Sequence, residues 1–124
     1  MLIYGKNVAE EYLKTGKKIK KTYILDSYNG KMNFPNIEII NKNEIDKLVK
    51  ANTQGIVLDI DYEYSDLSEI INKENPLIVI LDHLEDPHNL GAIIRTCEAA
   101  GVDGIIIPEN RSVGVNSTVV HTSA

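Results

Sequence analysis

The sequence predicts an α/β protein, organised as one small domain over residues 1–72 and the opening βαβ part of a second over residues 73–124. Three observations carry that expectation. Short β-rich runs alternate with segments of helical periodicity along the chain. Leu77–Leu81 (LIVIL) is a continuous apolar run of strand length, the pattern of a strand covered on both faces in a parallel sheet. Between the halves, Asp59, Asp61, Glu63, Asp66 and Glu69 fall in a stretch without a base, and Asn72–Pro76 is polar and ends in proline. That stretch reads as a domain junction or as the exposed edge of one continuous domain.

Taken in order, Asn7–Lys14 places Val8, Ala9, Tyr12 and Leu13 at helical spacing, with Asn7 as N-cap and Gly16 as the stop. Thr22–Leu25 is a strand, Asp26–Asn36 is dense in turn formers, and Ile37–Ile40 is a second strand. Asn43–Val49 restores a helical pattern, with Glu44 and Asp46 in its first turn, and Gly55–Ile60 is the next strand. A short helix precedes Asn72–Pro76. After LIVIL and the polar loop Asp82–Asn89, Leu90–Ala100 forms a helix through Leu90, Ile93, Ile94 and Cys97, and Gly101 is its left-handed C′ residue. Gly104–Ile107 is a second buried strand ended by Pro108, Glu109–Ser117 is loop, and Thr118–Ala124 starts a further element.

Composition narrows the classes. With 124 residues, 43% apolar and 25% charged, the chain is ordinary globular material. No run approaches the roughly 18 apolar residues of a membrane span, and MLIYGKNVAEEYLK lacks the cationic start and apolar core of a secretory signal, so a cytoplasmic protein with no membrane partner is expected. Cys97, the single cysteine, can form neither an internal disulfide nor a zinc site and reads as a small core residue. His83, His88 and His121 lack ligand spacing and read as loop or surface residues, so no metal is expected. The net charge of −5 argues against bulk attraction to nucleic acid. Its distribution is uneven: residues 1–24 hold six lysines (Lys6, Lys14, Lys17, Lys18, Lys20, Lys21) against two glutamates, a surface suited to phosphate or simply a solvated face.

Ligands of open parallel sheets sit beyond the carboxyl ends of the strands, and DHLEDPHNLGAIIRT takes that place after LIVIL. One glycine in HNLGAI is too few for a dinucleotide turn, and no GK[ST] ending marks a phosphate loop. What remains is a stiff Asp86-Pro87 turn, Asn89 at the helix entrance, Gly91 where a side chain would block close approach, and Arg95 one turn further in. Asn89 and Arg95 facing one pocket near the helix N-terminus would suit a phosphate or alkoxide. Alternatively Asn89 is only an N-cap and Arg95 only a surface cation.

Residues 81–124, through DPHNLGAIIRT, AAGV, IIIP and the final TSA, resemble the first signature region of the SpoU-type (TrmH-like) RNA 2′-O-ribose methyltransferases of the SPOUT class. GKN near the start and TQG at Thr53–Gly55 are similar to the small α/β RNA-binding domain of the same family. Three features depart from the pattern: Thr53 stands where many members have histidine, Asp26–Asn36 is short and turn-rich, and Cys97 replaces a common alanine. The resemblance implies a trefoil-knot methyltransferase domain, S-adenosyl-L-methionine as cofactor, structured RNA as partner (23S ribosomal RNA in the most similar members), and a homodimer. It also implies that the cofactor-binding and dimer-forming regions follow TSA, so that this chain is an N-terminal fragment with no cofactor-binding residue of its own. Arg95 matches the family's arginine. Because a guanidinium is not deprotonated in proteins, Arg95 is expected to hold a phosphate and stabilise a developing 2′-alkoxide, with the proton passing to a phosphate oxygen or water and Asn89 orienting Arg95 or the ribose. Lys6, Asn7, Lys17, Lys18, Lys20, Lys21 and Arg111 are the expected RNA contacts. Two further readings stay open, a non-catalytic RNA-binding module and an unrelated domain that binds an anionic metabolite.

Overall fold

The computed structural model describes residues 1–109 and 112–123, which form two compact units, Met1–Tyr62 and Glu63–Ala124. The division falls before the short helix at Leu67–Ile71, whereas composition places the junction near residue 72.

The first unit runs β1 (Leu2–Tyr4), α1 (Lys6–Lys14), β2 (Ile19–Leu25), β3 (Ile37–Ile40), α2 (Lys42–Leu48) and β4 (Ile56–Ile60). Its sheet has the order β1-β4-β2-β3; β4 is antiparallel to both neighbours, and β2 and β3 are parallel. Strand alternation sorts the core. Val57 packs with Ile40 and Ile45 beneath α2, while Ile56, Leu58 and Ile60 turn to the other face and are buried, as are Ile3, Val8 and Ala9. Thr22 is buried between them and satisfied by donating its hydroxyl to Pro35 O at 2.7 Å.

One strand is added here and one expectation changes. Periodicity does not reveal β1, because three residues carry no period and its strand geometry comes from pairing with β4 (Leu2 with Asp59, Tyr4 with Val57). Asn7 is not the N-cap of α1. Gly5 holds that position with φ 96°, and the Gln54 side chain supplies the cap instead, Oε1 accepting Lys6 N at 2.8 Å. Asn41 caps α2 by accepting Glu44 N at 2.9 Å.

The second unit runs α3 (Leu67–Ile71), β5 (Ile78–Ile80), α4 (Pro87–Ala99), β6 (Gly104–Ile106) and α5 (Ser117–Ser123), with β5 and β6 parallel as the βαβ reading requires. The expected burial of both strands does not hold. β5 and β6 are only half-buried, and Ile80 is 72% exposed. Among the described residues this sheet has two strands, so its apolar side chains lack the cover that a wider parallel sheet provides. The helix after β5 starts at Pro87, three residues before the periodic pattern suggests, because Asp86 accepts His88 N at 2.9 Å and proline suits the first helical position. Cys97 is buried and Gly101 has φ 74°, both as expected. Among the described residues no helix is long and apolar enough to cross a membrane.

Candidate functional site

In the first unit the fold brings two short motifs together. GKN and TQG meet at the start of α1: Gly5 N donates to Ile56 O at 3.2 Å and Lys6 N to Gln54 Oε1. Gln54 and Gly55 both have positive φ, and Gly55 leaves room for Tyr28, whose Cδ2 would lie 3.1 Å from a Cβ added there. The buried Thr53 closes this turn, its Oγ1 accepting Gly55 N at 3.2 Å. Lys6 is thereby fixed: its ammonium donates to Asn29 Oδ1 at 3.2 Å and stands 5.4 Å from the centroid of the Tyr28 ring. Asn7, the second residue of α1, is exposed beside it. Motifs 48 residues apart in the chain thus form one polar, cationic patch.

The remaining lysines differ in how much of their charge is available. Lys17 and Lys18 are exposed in the turn before β2. Lys20 lies 3.3 Å from Asp61 and 3.8 Å from Asp59, and Lys21 lies 2.7 Å from Glu38 across to β3. The hydrogen bonds to Asp61 and Glu38, and then the neighbouring carboxylate charge, raise the pKa of both lysines. Their charges are already partly matched within the sheet, which favours Lys6, Lys17 and Lys18 as the contacts open to an anion. Arg111 lies outside the described residues.

In the second unit, Asn89 and Arg95, from which the chemistry is expected, both lie on α4. Its buried side, Leu90 and Cys97, belongs to the same element as Gly91, where an added Cβ would come within 2.6 Å of Thr122 Cβ and 3.1 Å of Val119 O. The close approach at Gly91 is therefore by α5. The N-terminus of α4 is partly filled by the chain's own Asp86 carboxylate, so an external anion depends on side chains more than on that helix end. With the helix starting at Pro87, Arg95 is its ninth residue, in mid-helix, and is exposed. Among the described residues neither the Arg95 nor the Asn89 side chain has an ion-pair or hydrogen-bond partner. Asn89, in the first turn, is not the N-cap, and six residues of helical phase set it about 120° around the axis from Arg95. The two flank α4 instead of stacking over one point.

The loops around α4 are tied together. Leu84 O accepts Val113 N at 2.7 Å and Ser112 Oγ at 2.9 Å, and Tyr64 Oη accepts Val115 N at 3.0 Å. Asn116 Oδ1 accepts Val119 N at 3.0 Å and so opens α5. Sequence reasoning missed Thr122, whose Oγ1 lies 3.3 Å from His88 Nδ1; nothing local signals a contact between TSA and the DPHN turn.

Comparison with known proteins gives the family of both units. Residues 2–65 match the model of the RNA 2′-O ribose methyltransferase substrate-binding family, and residues 76–124 match the SpoU rRNA methylase family. A Staphylococcus haemolyticus protein named for the TrmH family of tRNA/rRNA methyltransferases is 36% identical over 99% of this chain and 56% of its own length. A Bacillus subtilis protein named for the same family is 34% identical over 98% of this chain and 55% of its own. Among solved structures, an rRNA methyltransferase from Sinorhizobium meliloti is 28% identical with a TM-score of 0.80, covering 98% of this chain and 49% of that one. The same protein with AdoMet bound aligns with a TM-score of 0.78. The SpoU methyltransferase AviRb from Streptomyces viridochromogenes, 20% identical with a TM-score of 0.83, shares the fold over 99% of this chain and 48% of its own. The chain spans about half the length of the relatives it matches. With both of its halves matched by models of one family, the chain belongs to the SpoU RNA methyltransferases.

Proposed function

We propose that the protein carrying this chain methylates a ribose 2′-hydroxyl of structured RNA in the cytoplasm, with 23S ribosomal RNA as substrate and a homodimer as the working form. The observation that supports this reading best is Arg95: an exposed mid-helix guanidinium with no internal partner among the described residues, inside the region that matches the methylase model. An unpaired planar fork is suited to a phosphate and to the negative charge that develops on the 2′-oxygen. Asn89, on the adjacent flank, offers an amide for the ribose or a neighbouring phosphate. Lys6, Asn7, Lys17 and Lys18 supply the cationic surface of the first unit for the rest of the RNA, and Lys20 and Lys21 add to it once their carboxylate partners are displaced.

The cofactor implied by the family is S-adenosyl-L-methionine, whose sulfonium supplies an electrophilic methyl group. Within residues 112–116, Ser112 Oγ and Val113 N are engaged with Leu84 O and Val115 N with Tyr64 Oη, and Arg95 is cationic like the sulfonium. No cofactor contact is therefore assigned to this chain. A second reading, supported by the match of residues 2–65 to the substrate-binding family, is that these 124 residues act as an RNA-binding module without catalysis of their own. Calorimetric titration with S-adenosylhomocysteine separates the two: no saturable binding is expected, and clear binding would move the cofactor site into residues 77–123.

The test of the main reading is Arg95→Lys in the full-length protein. It keeps the charge and loses the fork, so single-turnover methyl transfer should fall about 100-fold or more. RNA affinity should stay within about twofold, and near-normal turnover would sink the assignment.

A further inference from the structure

We infer that His88 takes the proton of the ribose 2′-hydroxyl, with Thr122 as the residue that sets its tautomer. This rests on the reading of α4 as the face that meets the ribose. Helical phase puts His88, seven residues before Arg95, within about 20° of it around the axis, much nearer than Asn89. Between them lie Gly91, buried against α5, and Ala92, which is small; Ala92, His88 and Arg95 are all exposed. Helical side chains lean toward the N-terminus, which carries the long Arg95 chain back over Ala92 toward the His88 turn. The separation along the axis, about 10 Å, is within the combined reach of the two side chains.

The chemistry is complementary. Arg95 can hold negative charge and cannot accept a proton at neutral pH; an imidazole can. Of the two ring nitrogens of His88, Nδ1 is engaged with Thr122 Oγ1 at 3.3 Å, a contact that crosses from α4 to α5 at the close approach permitted by Gly91. If Nδ1–H donates to Thr122, Nε2 is left as the free acceptor. In the step, the ribose O–H bond breaks and its proton forms an N–H bond at Nε2. The electron pair stays on oxygen as an alkoxide facing Arg95, and the imidazolium returns its proton to water. The charged groups around His88 are Asp86 and Arg95 on its own helix, Asp82, His83 and Glu85 in the preceding loop, and His121 beside Thr122 on α5.

Two measurements test this. The first needs no turnover: nitrogen-15 NMR of the imidazoles in this chain at pH 8 should show His88 protonated at Nδ1 and bare at Nε2. In Thr122→Val it should shift toward the Nε2–H form. An Nε2–H tautomer in the unsubstituted chain overturns the proposal. The second is the pH dependence of single-turnover methyl transfer in the full-length protein. The unsubstituted enzyme should show a limb in which the rate rises with pH as one proton acceptor is freed. His88→Gln should lose that limb and about 100-fold in rate at pH 7.5, with RNA affinity unchanged. A retained limb, or a rate within twofold, overturns it. A protein that transfers no methyl group at all, with the Nδ1–H tautomer present, would count against the proposed function and leave the proton-acceptor geometry of His88 standing on the NMR result.

Discussion

The two units use similar strand sequences to different ends. IVLDI in β4 and LIVIL around β5 are both apolar, β-branched runs, yet Leu58 is fully buried while Ile80 is 72% exposed. β4 lies between two partner strands with apolar residues covering both faces, and β5 pairs with β6 alone among the described residues. An apolar strand thus reports a capacity for burial, and the neighbours decide whether it is used. The same contrast separates the cations: Lys20 and Lys21 are matched by carboxylates within the completed sheet, whereas Arg95 has no partner among the described residues.

The largest expected effect is on that contrast itself. Leu58→Ala should cost about 2 to 5 kcal/mol of stability, since the cavity opens in a sheet buried on both sides. Ile80→Ala should change stability by under about 0.5 kcal/mol, as surface substitutions do. Urea denaturation of this chain measures both. Equal losses would break the comparison and show that β5 is covered in solution. The next effect concerns the helix pair of the second unit. Gly91→Leu drives a side chain against Thr122 and Val119 O, and should cost about 1 to 3 kcal/mol with faster amide exchange throughout α5. Unchanged exchange would mean that α5 does not depend on the close approach.

Much of this was legible beforehand, for reasons that differ by region. Ile37–Ile40 forms a strand in the residues its pattern marks, Cys97 falls in the core, and Gly101 takes the left-handed position that ends α4. Each depends on local chemistry. β1 has no local signature because it is a strand only through β4, and local pattern starts α4 too late because Pro87, a turn former elsewhere, is a helix opener after Asp86. For the site, Arg95 and Asn89 are visible as residue types. The union of GKN with TQG and the contact of His88 with Thr122 exist only once the chain is folded, and the pairing of Lys20 and Lys21 with acids on neighbouring strands follows from register.

Helix caps give a smaller and more even effect. Asn41→Ala in the first unit and Asp86→Ala in the second each remove one acceptor from a helix N-terminus and should each cost about 1 kcal/mol. If the second unit opens more readily, Asp86→Ala will loosen α4 locally in hydrogen exchange, while Asn41→Ala will lower the global midpoint of the first. A global loss from both would erase that distinction.

The smallest effect is set by pH. Two carboxyls of the second unit are held below the usual carboxylate range. Asp66 is held low by the Ser68 backbone amide and then the Ser68 hydroxyl; Asp103 by the Leu77 amide at 2.8 Å and then the charge of Lys73 at 3.5 Å. A carboxyl depressed on folding contributes stability that is present above its unfolded pKa and is lost as pH falls through the folded one. Asp103 joins the start of β5 to the turn before β6, so acid should loosen the β5–β6 pair as that carboxylate is protonated. In Asp103→Asn the amide oxygen can still accept from Leu77, but the charge is gone. Its thermal midpoint at pH 7 should be slightly lower, and the decline between about pH 5 and pH 2 should be shallower than in the unsubstituted chain. Parallel curves would show that the Leu77 contact is equally strong with or without the charge, and the acid response of the second unit would then rest on Asp66.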